Sequence, residues 1–413
     1  MDMLFSKSQK RILGACIVIY TAAYFNRLNL SAALGSIIST LHISIAKAGL
    51  LQTAFAVVYA AGQLINGTLV DRINPVRHML IGLSGSAVCN FLMGISVSYP
   101  VIWGLCLLNG AFQSMLWTPI VRLIALHFNQ QKAREKANIF LFMALVFGHM
   151  GAWAISGYLS GITSWRFSFI VPAFIAIPAL FVGSALLKNM VQIPKVIKQK
   201  AVTAKASGSA FKVFSSTGFF LVLFSSVLFG FIRDGIVTWS PNILRSFSRG
   251  NSFSSTTFSL LIPLINAFGM FVGYVFQQRK RQNNHQMIAK MLLCSSCFCF
   301  PLLFANGMLP AAMLMGACCA CMNGASPILT TLIPMEYDKV GYIGLAAGLI
   351  DCFIYIGSAL AGVLAGSIYD TFSIKALYGT WLLSGAGAAL SMWISGRKAA
   401  NQACVKNEMA PDA

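Results

Sequence analysis

The chain has 413 residues, of which 57% are hydrophobic and only 10% charged, against roughly 25% charged in ordinary soluble domains. A water-soluble fold of that composition would expose broad apolar patches, so the solvent the sequence implies is a bilayer. The net charge of +20 does not point to nucleic acid. The Lys and Arg stand between apolar runs, as orientation by anionic lipid and the positive-inside bias require.

The opening MDMLFSKSQKR leads into an apolar run over 11–33. This run is too long for a signal peptide, lacks a small-residue cleavage site and contains Arg27, so a retained first span is expected. A span needs about 20 mostly apolar residues. Further runs predict helices at 49–70, 79–98, 101–125, 137–160 and 165–187. A polar stretch follows, carrying Lys188, Lys195, Lys198, Lys200, Lys205 and Lys212 and no acid. A second set of runs lies at 217–240, 255–277, 286–306, 310–333, 341–368 and 373–395. The expected fold is an all-α polytopic membrane protein with twelve transmembrane helices in two pseudo-symmetric six-helix bundles. The bundles are 1–187 and 217–413, the second ending in a short tail, and 188–216 is a basic cytoplasmic linker.

Charge placement gives the orientation. Lys7, Lys10, Arg11, Arg72, Arg77, Lys132, Arg134, Lys136, the linker lysines, Arg279, Lys280 and Arg281 all fall on one side of this topology. Lys47, Arg166, Arg245, Arg249 and Lys375 fall on the other. The bias puts both termini in the cytoplasm. Cys294, Cys297, Cys299, Cys318, Cys319 and Cys321 lie in apolar runs with no nearby carboxylate and read as packing residues. No metal and no cofactor is expected. Nor is an enzyme, since no phosphate loop, nucleophile elbow or metal-spaced cluster stands in a polar context.

Arg27, Arg122 and Arg233 remain inside the spans. An arginine at mid-helix costs roughly 2.5–3.5 kcal/mol on insertion scales, so it needs a reason to be there. Overlaying the halves with a shift near 206 residues puts Arg27 and Arg233 at equal depth. They are expected to line an aqueous cleft and to bridge one anion, since guanidinium forks match phosphate or carboxylate. A phosphomonoester, near two charges at neutral pH, suits two arginines. Tyr20 and Tyr24 share a helical face with Arg27, and Tyr59 faces them from the second helix. His149 is a candidate titrating group within the membrane. Asp234 and Asp351 offer the competing role of charge pairing or coupling. Neighbouring helical residues point about 100° apart, so Asp234 is expected to face away from Arg233, with Asp351 the better placed. Arg122 is close to a helix end, where it can snorkel. In GTLVDRINPVR, Gly67 permits close approach, and Asp71, Arg72 and Arg77 are read as a gate at a helix terminus.

Four stretches carry a resemblance. YTAAYFNRLNLSAAL, GTLVDRINPVR, IRDGIVTWSPNIL and AAGLIDCFIYIGSALAGVLAGSIYD are similar to helix 1, loop 2–3, helix 7 and helix 11 of the organophosphate:phosphate antiporters of the major facilitator superfamily. The similarity runs from about 11 to 395. It implies phosphate binding by Arg27 and Arg233 and a cavity lined by Tyr20, Tyr24, Tyr59 and His149. It further implies rocker-switch exchange of inorganic phosphate for a sugar phosphate or glycerol phosphate in a bacterial inner membrane, by a protein working as a monomer. Where glycerol-phosphate transporters carry two lysines, this chain has Leu28 and Gln63. It adds Asp234 and Asp351, so the cavity is less positive than that family's. The helix 1 pattern also resembles the anion:cation symporters. That leaves a proton-coupled organic-anion symporter as the alternative, with Asp351 as proton acceptor, and a transporter-like sugar-phosphate sensor as a third.

Overall fold

The computed structural model describes residues 5–69, 73–128, 130–188, 210–248, 252–278, 283–337 and 342–408. Its elements are helical throughout. In order they are α1 (Lys7–Leu41), α2 (Ile45–Leu69), α3 (Pro75–Ile95), α4 (Tyr99–His127), α5 (Gln131–Ile162) and α6 (Phe167–Leu187), then the short α7 (Ala210–Thr217). There follow α8 (Phe219–Phe247), α9 (Ser252–Ser259), α10 (Leu261–Gln278), α11 (Asn284–Leu302), α12 (Met308–Pro327), a π turn (Ile328–Leu332), α13 (Ile333–Met335), α14 (Ile343–Thr371) and α15 (Ile374–Glu408).

Several helices outrun the apolar stretches that predict them, because their ends are capped. α1 begins in a capping box: Ser6 Oγ accepts from the Gln9 backbone N–H while Gln9 Oε1 accepts from that of Ser6. Asn74 caps α3 by accepting from the N–H groups of Val76 and Arg77, and Pro75 takes the first helical position, where no N–H is needed. The Asn-Pro pair thus starts a helix.

Among the described residues eight helices are long and apolar enough to cross a membrane. Twelve spans were expected. The shortfall has physical causes. α1 carries Arg27 among buried amides, α11 carries Asn284, His285, Gln286 and Lys290, and α15 is rich in Gly and Ser. A further apolar helix, Phe253–Gly269, is shorter than the eight among the described residues.

α1 packs against α4, α5 and α6, and α3 against α4 and α6. Later in the chain, α8 packs on α14 and α15, α11 on α12 and α15, and α10 on α12. The two sets meet through α2 with α14, α1 with α8, and α5 with α9 and α10. α2 and α14 run antiparallel in close contact. A Cβ on Gly49 would strike the Gly362 carbonyl. Thr53 Oγ1 donates to Ala359 O at 2.6 Å. The Tyr59 and Tyr355 rings lie 4.6 Å apart, centroid to centroid. Small residues let such backbones approach in a medium that offers no hydrophobic drive between helices.

α1 is held rigidly on one side by buried amides. Asn26 Nδ2 donates to Ala22 O and Pro172 O, and Asn29 Nδ2 to Asn90 Oδ1 and Ser168 O. Asn90 and Asn109 return donors to Asn26 O at 2.9 and 3.1 Å. Pro172 explains one of these bonds. It lacks the N–H that would serve Ser168 O four residues earlier, and Asn29 and Ser156 supply donors instead.

Candidate substrate cleft

Asn26 and Asn29 face the interior of the first helices, so Arg27 between them points the other way, toward the seam with the later helices. Its guanidinium carbon lies 4.6 Å from the Tyr59 ring centre, 5.4 Å from Phe55 and 5.9 Å from Tyr24. These ring faces favour the cation electrostatically. Among the described residues Arg27 makes no hydrogen bond and has no carboxylate within ion-pair distance. It is half-buried. The chain therefore holds a fork of five N–H donors walled by aromatics.

Tyr20 stacks edge-on against Tyr24 with centroids 5.1 Å apart and leans on Trp117 at 5.4 Å. Tyr20, Tyr24 and Tyr59 thus gather near Arg27. His149 is buried, meets Trp153 edge-on at 4.3 Å and lies within Coulomb range of Arg27. Its Nε2 has no hydrogen-bond partner. Gly148 beside it lets α5 close on Tyr24.

Arg233 lies across the seam within Coulomb range of Arg27. Its surroundings correct one expectation. Asp234 does not turn away. It receives the Arg233 fork at 2.7 Å (Nε to Oδ1) and 3.0 Å (Nη2 to Oδ2). Their Cβ atoms diverge on the helix, but arginine is long enough to curl around the turn and meet the short carboxylate in bidentate geometry. Phe229 covers the other side of Arg233 at 5.1 Å. The two arginines are thus unlike: Arg27 is unpaired and Arg233 is neutralised by its neighbour.

Asp351 is on α14, four residues before Tyr355, and the two share a helical face. Tyr355 touches Tyr59, so that face lines the same cleft. Asp351 is exposed, feels the charge of Arg233, and has no ion-pair partner among the described residues. Tyr355 and Phe55 escaped the sequence reading. Tyr355 was findable as the aromatic one turn beyond an intramembrane acid, whereas nothing marked Phe55 among the other apolar residues of α2.

Arg122 is half-buried in the last turns of α4, away from this group. Arg77 is exposed on α3. Gly67 falls within α2, and Asp71 and Arg72 lie outside the described residues.

One end of the seam is closed. It is the end reached by the last turns of α1, α5, α8 and α14. Arg245 Nη1 donates to Ser36 Oγ at 2.5 Å, and Gly35 abuts Asn242 and Arg245. Trp239 lies against Gly49 of α2, and the Tyr158 and Thr257 hydroxyls meet at 3.0 Å. The space left between Trp153, Asn242, Arg245 and Thr256 is about 20 Å³, room for little more than one water.

A seam between two helix sets, closed at one end, is a geometry that alternating access across a bilayer uses. The sequence profile of the Major Facilitator Superfamily matches residues 16–361. The chain belongs to the Major Facilitator Superfamily. As a member it is a secondary transporter of a small polar or charged solute and not an enzyme. It is similar to the glycerol-3-phosphate transporter of Bacillus subtilis, 24% identical over 405 residues, covering 90% of this chain and 89% of that protein. It is also similar to a probable sulfoacetate transporter of Cupriavidus necator, 23% identical over 423 residues, covering 94% of each. A solved bacterial homologue of the human lysosomal transporter Spinster, inward-facing and unoccupied, shares the fold. The TM-score is 0.73 at 16% identity, over 96% of this chain and 99% of that one.

Proposed function

We propose that this transporter carries a phosphorylated small organic anion, a sugar phosphate or a glycerol phosphate, in exchange for inorganic phosphate. The observation that carries the reading is Arg27, a guanidinium with no acceptor among the described residues, framed by Tyr24, Phe55 and Tyr59 at the seam of the helix sets. An arginine held in such a site without a partner is stabilised when a bound oxyanion takes its fork. The names of the relatives support an anion bearing a tetrahedral head. Membership of the organophosphate:phosphate antiporters is part of the same proposal.

In this reading the chain spans the bacterial inner membrane twelve times, as six-helix halves 1–187 and 217–413 about the linker 188–216, with both termini cytoplasmic. The closed end then faces outward, and rocking of the halves exposes Arg27 to each side in turn. Tyr20, Tyr24, Tyr59 and His149 shape the anion site, Arg233 assists across the seam, and Gly67, Asp71, Arg72 and Arg77 act at the inner gate.

A second reading is proton-coupled uptake of an organic carboxylate or sulfonate. Asp351, exposed and with no ion-pair partner among the described residues, favours it as the site of the proton. Purified protein in liposomes separates the two. Antiport predicts saturable phosphate:phosphate exchange, inhibited by organophosphates and unaffected by an uncoupler. Absence of phosphate exchange, with organic-anion uptake that collapses under the uncoupler, would replace the first reading by the second.

A further inference from the structure

The charges facing the cleft do not suit a simple dianion. Asp234 and Asp351 both lie well inside their helices, α8 and α14, away from the ends, and both lie at this site. Arg233 is held by Asp234 at 2.7 and 3.0 Å, which leaves Arg27 and Asp351 as the uncompensated groups. The four charges sum to zero. A phosphomonoester near two negative charges would enter a neutral cleft and leave its full charge unbalanced beside an open carboxylate.

Asp351 and Arg27 are also placed to be used together. Tyr355 links them: its ring touches Tyr59, whose ring covers Arg27 at 4.6 Å, and Asp351 is one turn away on the same face. Four residues of helix separate the Tyr355 and Asp351 levels by about 6 Å along the axis. That is the scale of a small phosphorylated molecule measured from its phosphate to its far end. The exposed Asp351 side chain can accept hydrogen bonds from a ligand directly.

Resting on the organophosphate reading above, we infer that the preferred substrate is zwitterionic: a small phosphomonoester bearing an ammonium group, its phosphate on Arg27 and its ammonium on Asp351. The ammonium supplies the cation that Asp234 withdraws by pairing Arg233. A charge-assisted contact replaces what would otherwise be repulsion between the ligand and Asp351.

The test uses the purified full chain in liposomes exchanging labelled inorganic phosphate, with glucose 6-phosphate and glucosamine 6-phosphate as competitors. These differ by one hydroxyl-to-ammonium replacement. The amino compound is expected to compete at about tenfold lower concentration. Asp351→Asn should bring the ratio of the two to about one, while Asp351→Glu and the neighbouring Cys352→Ser keep the preference. Equal competition in the wild type, or a preference that survives Asp351→Asn, overturns the inference and leaves the organophosphate reading intact. Equal competition with exchange that becomes proton-driven and loses that coupling in Asp351→Asn also overturns it, assigning Asp351 to a proton. No phosphate exchange at all would remove both readings.

Discussion

Arg27 and Arg233 have different environments although they stand at matching places in the chain. Among the described residues Arg27 meets ring faces and no carboxylate, and Arg233 meets a carboxylate. Asp234→Asn should therefore free the Arg233 fork and raise the cleft charge by one. Inorganic phosphate is expected to bind about tenfold more tightly to that variant, read by competition against labelled ligand. Unchanged affinity would mean that Arg233 does not face the bound anion. The Tyr59 ring lies closest to Arg27. Tyr59→Phe keeps its face and should change phosphate affinity by about twofold or less, while Tyr59→Ala loses a cation–π contact worth about 1 kcal/mol and should weaken binding roughly fivefold. Equal effects of the two substitutions would assign the role to the hydroxyl. At this scale the sequence revealed which residues are costly to bury. It did not reveal how they pair, because pairing depends on side-chain reach: the curl of Arg233 onto Asp234 defeats a rule based on Cβ directions alone.

The helices hold these residues by polar contacts that a hydropathy profile hides. Asn26, Asn29, Asn90 and Asn109 tie α1 to α3, α4 and α6. Asn90→Ala removes one acceptor and two donors from this network. It should lower unfolding stability in detergent by about 1 kcal/mol, seen as a reduced melting temperature. No change would mean that the amides are satisfied otherwise. The long apolar runs were legible in the sequence. Helix ends were less so, because Ser6 and Asn74 cap α1 and α3 beyond the apolar stretch. The same amides that anchor Arg27 make α1 too polar to count among the eight helices that pass on composition. The residue with the clearest binding geometry therefore lies on a helix that hydropathy alone would undervalue.

At the level of the whole molecule, closure depends on contacts between the early and late helices at one end. Gly49 and Gly362 meet backbone to backbone, and Arg245 reaches Ser36. Gly362→Leu cannot be accommodated in this packing, so the closed end should open. A cysteine at Asn242 should then react with a membrane-impermeant maleimide from that side, more than tenfold faster than in the otherwise unchanged protein. Equal labelling would show that the end closes without this contact. The superfamily was legible from motif stretches, two of which now have structural roles: YFNRL alternates anchoring amides with the outward-turned Arg27, and the Trp-Ser-Pro of α8 leads into the closure through Trp239, Asn242 and Arg245. The substrate was less legible, since it follows from the balance of charges in the cleft rather than from any motif. The central claim is that Arg27 receives the anion as a fork. Its most direct test is phosphate binding by purified, folded Arg27→Lys beside the wild type, because lysine keeps the charge and loses the geometry. Loss of at least about a hundredfold in affinity is the predicted result. Wild-type affinity in the lysine variant would contradict it.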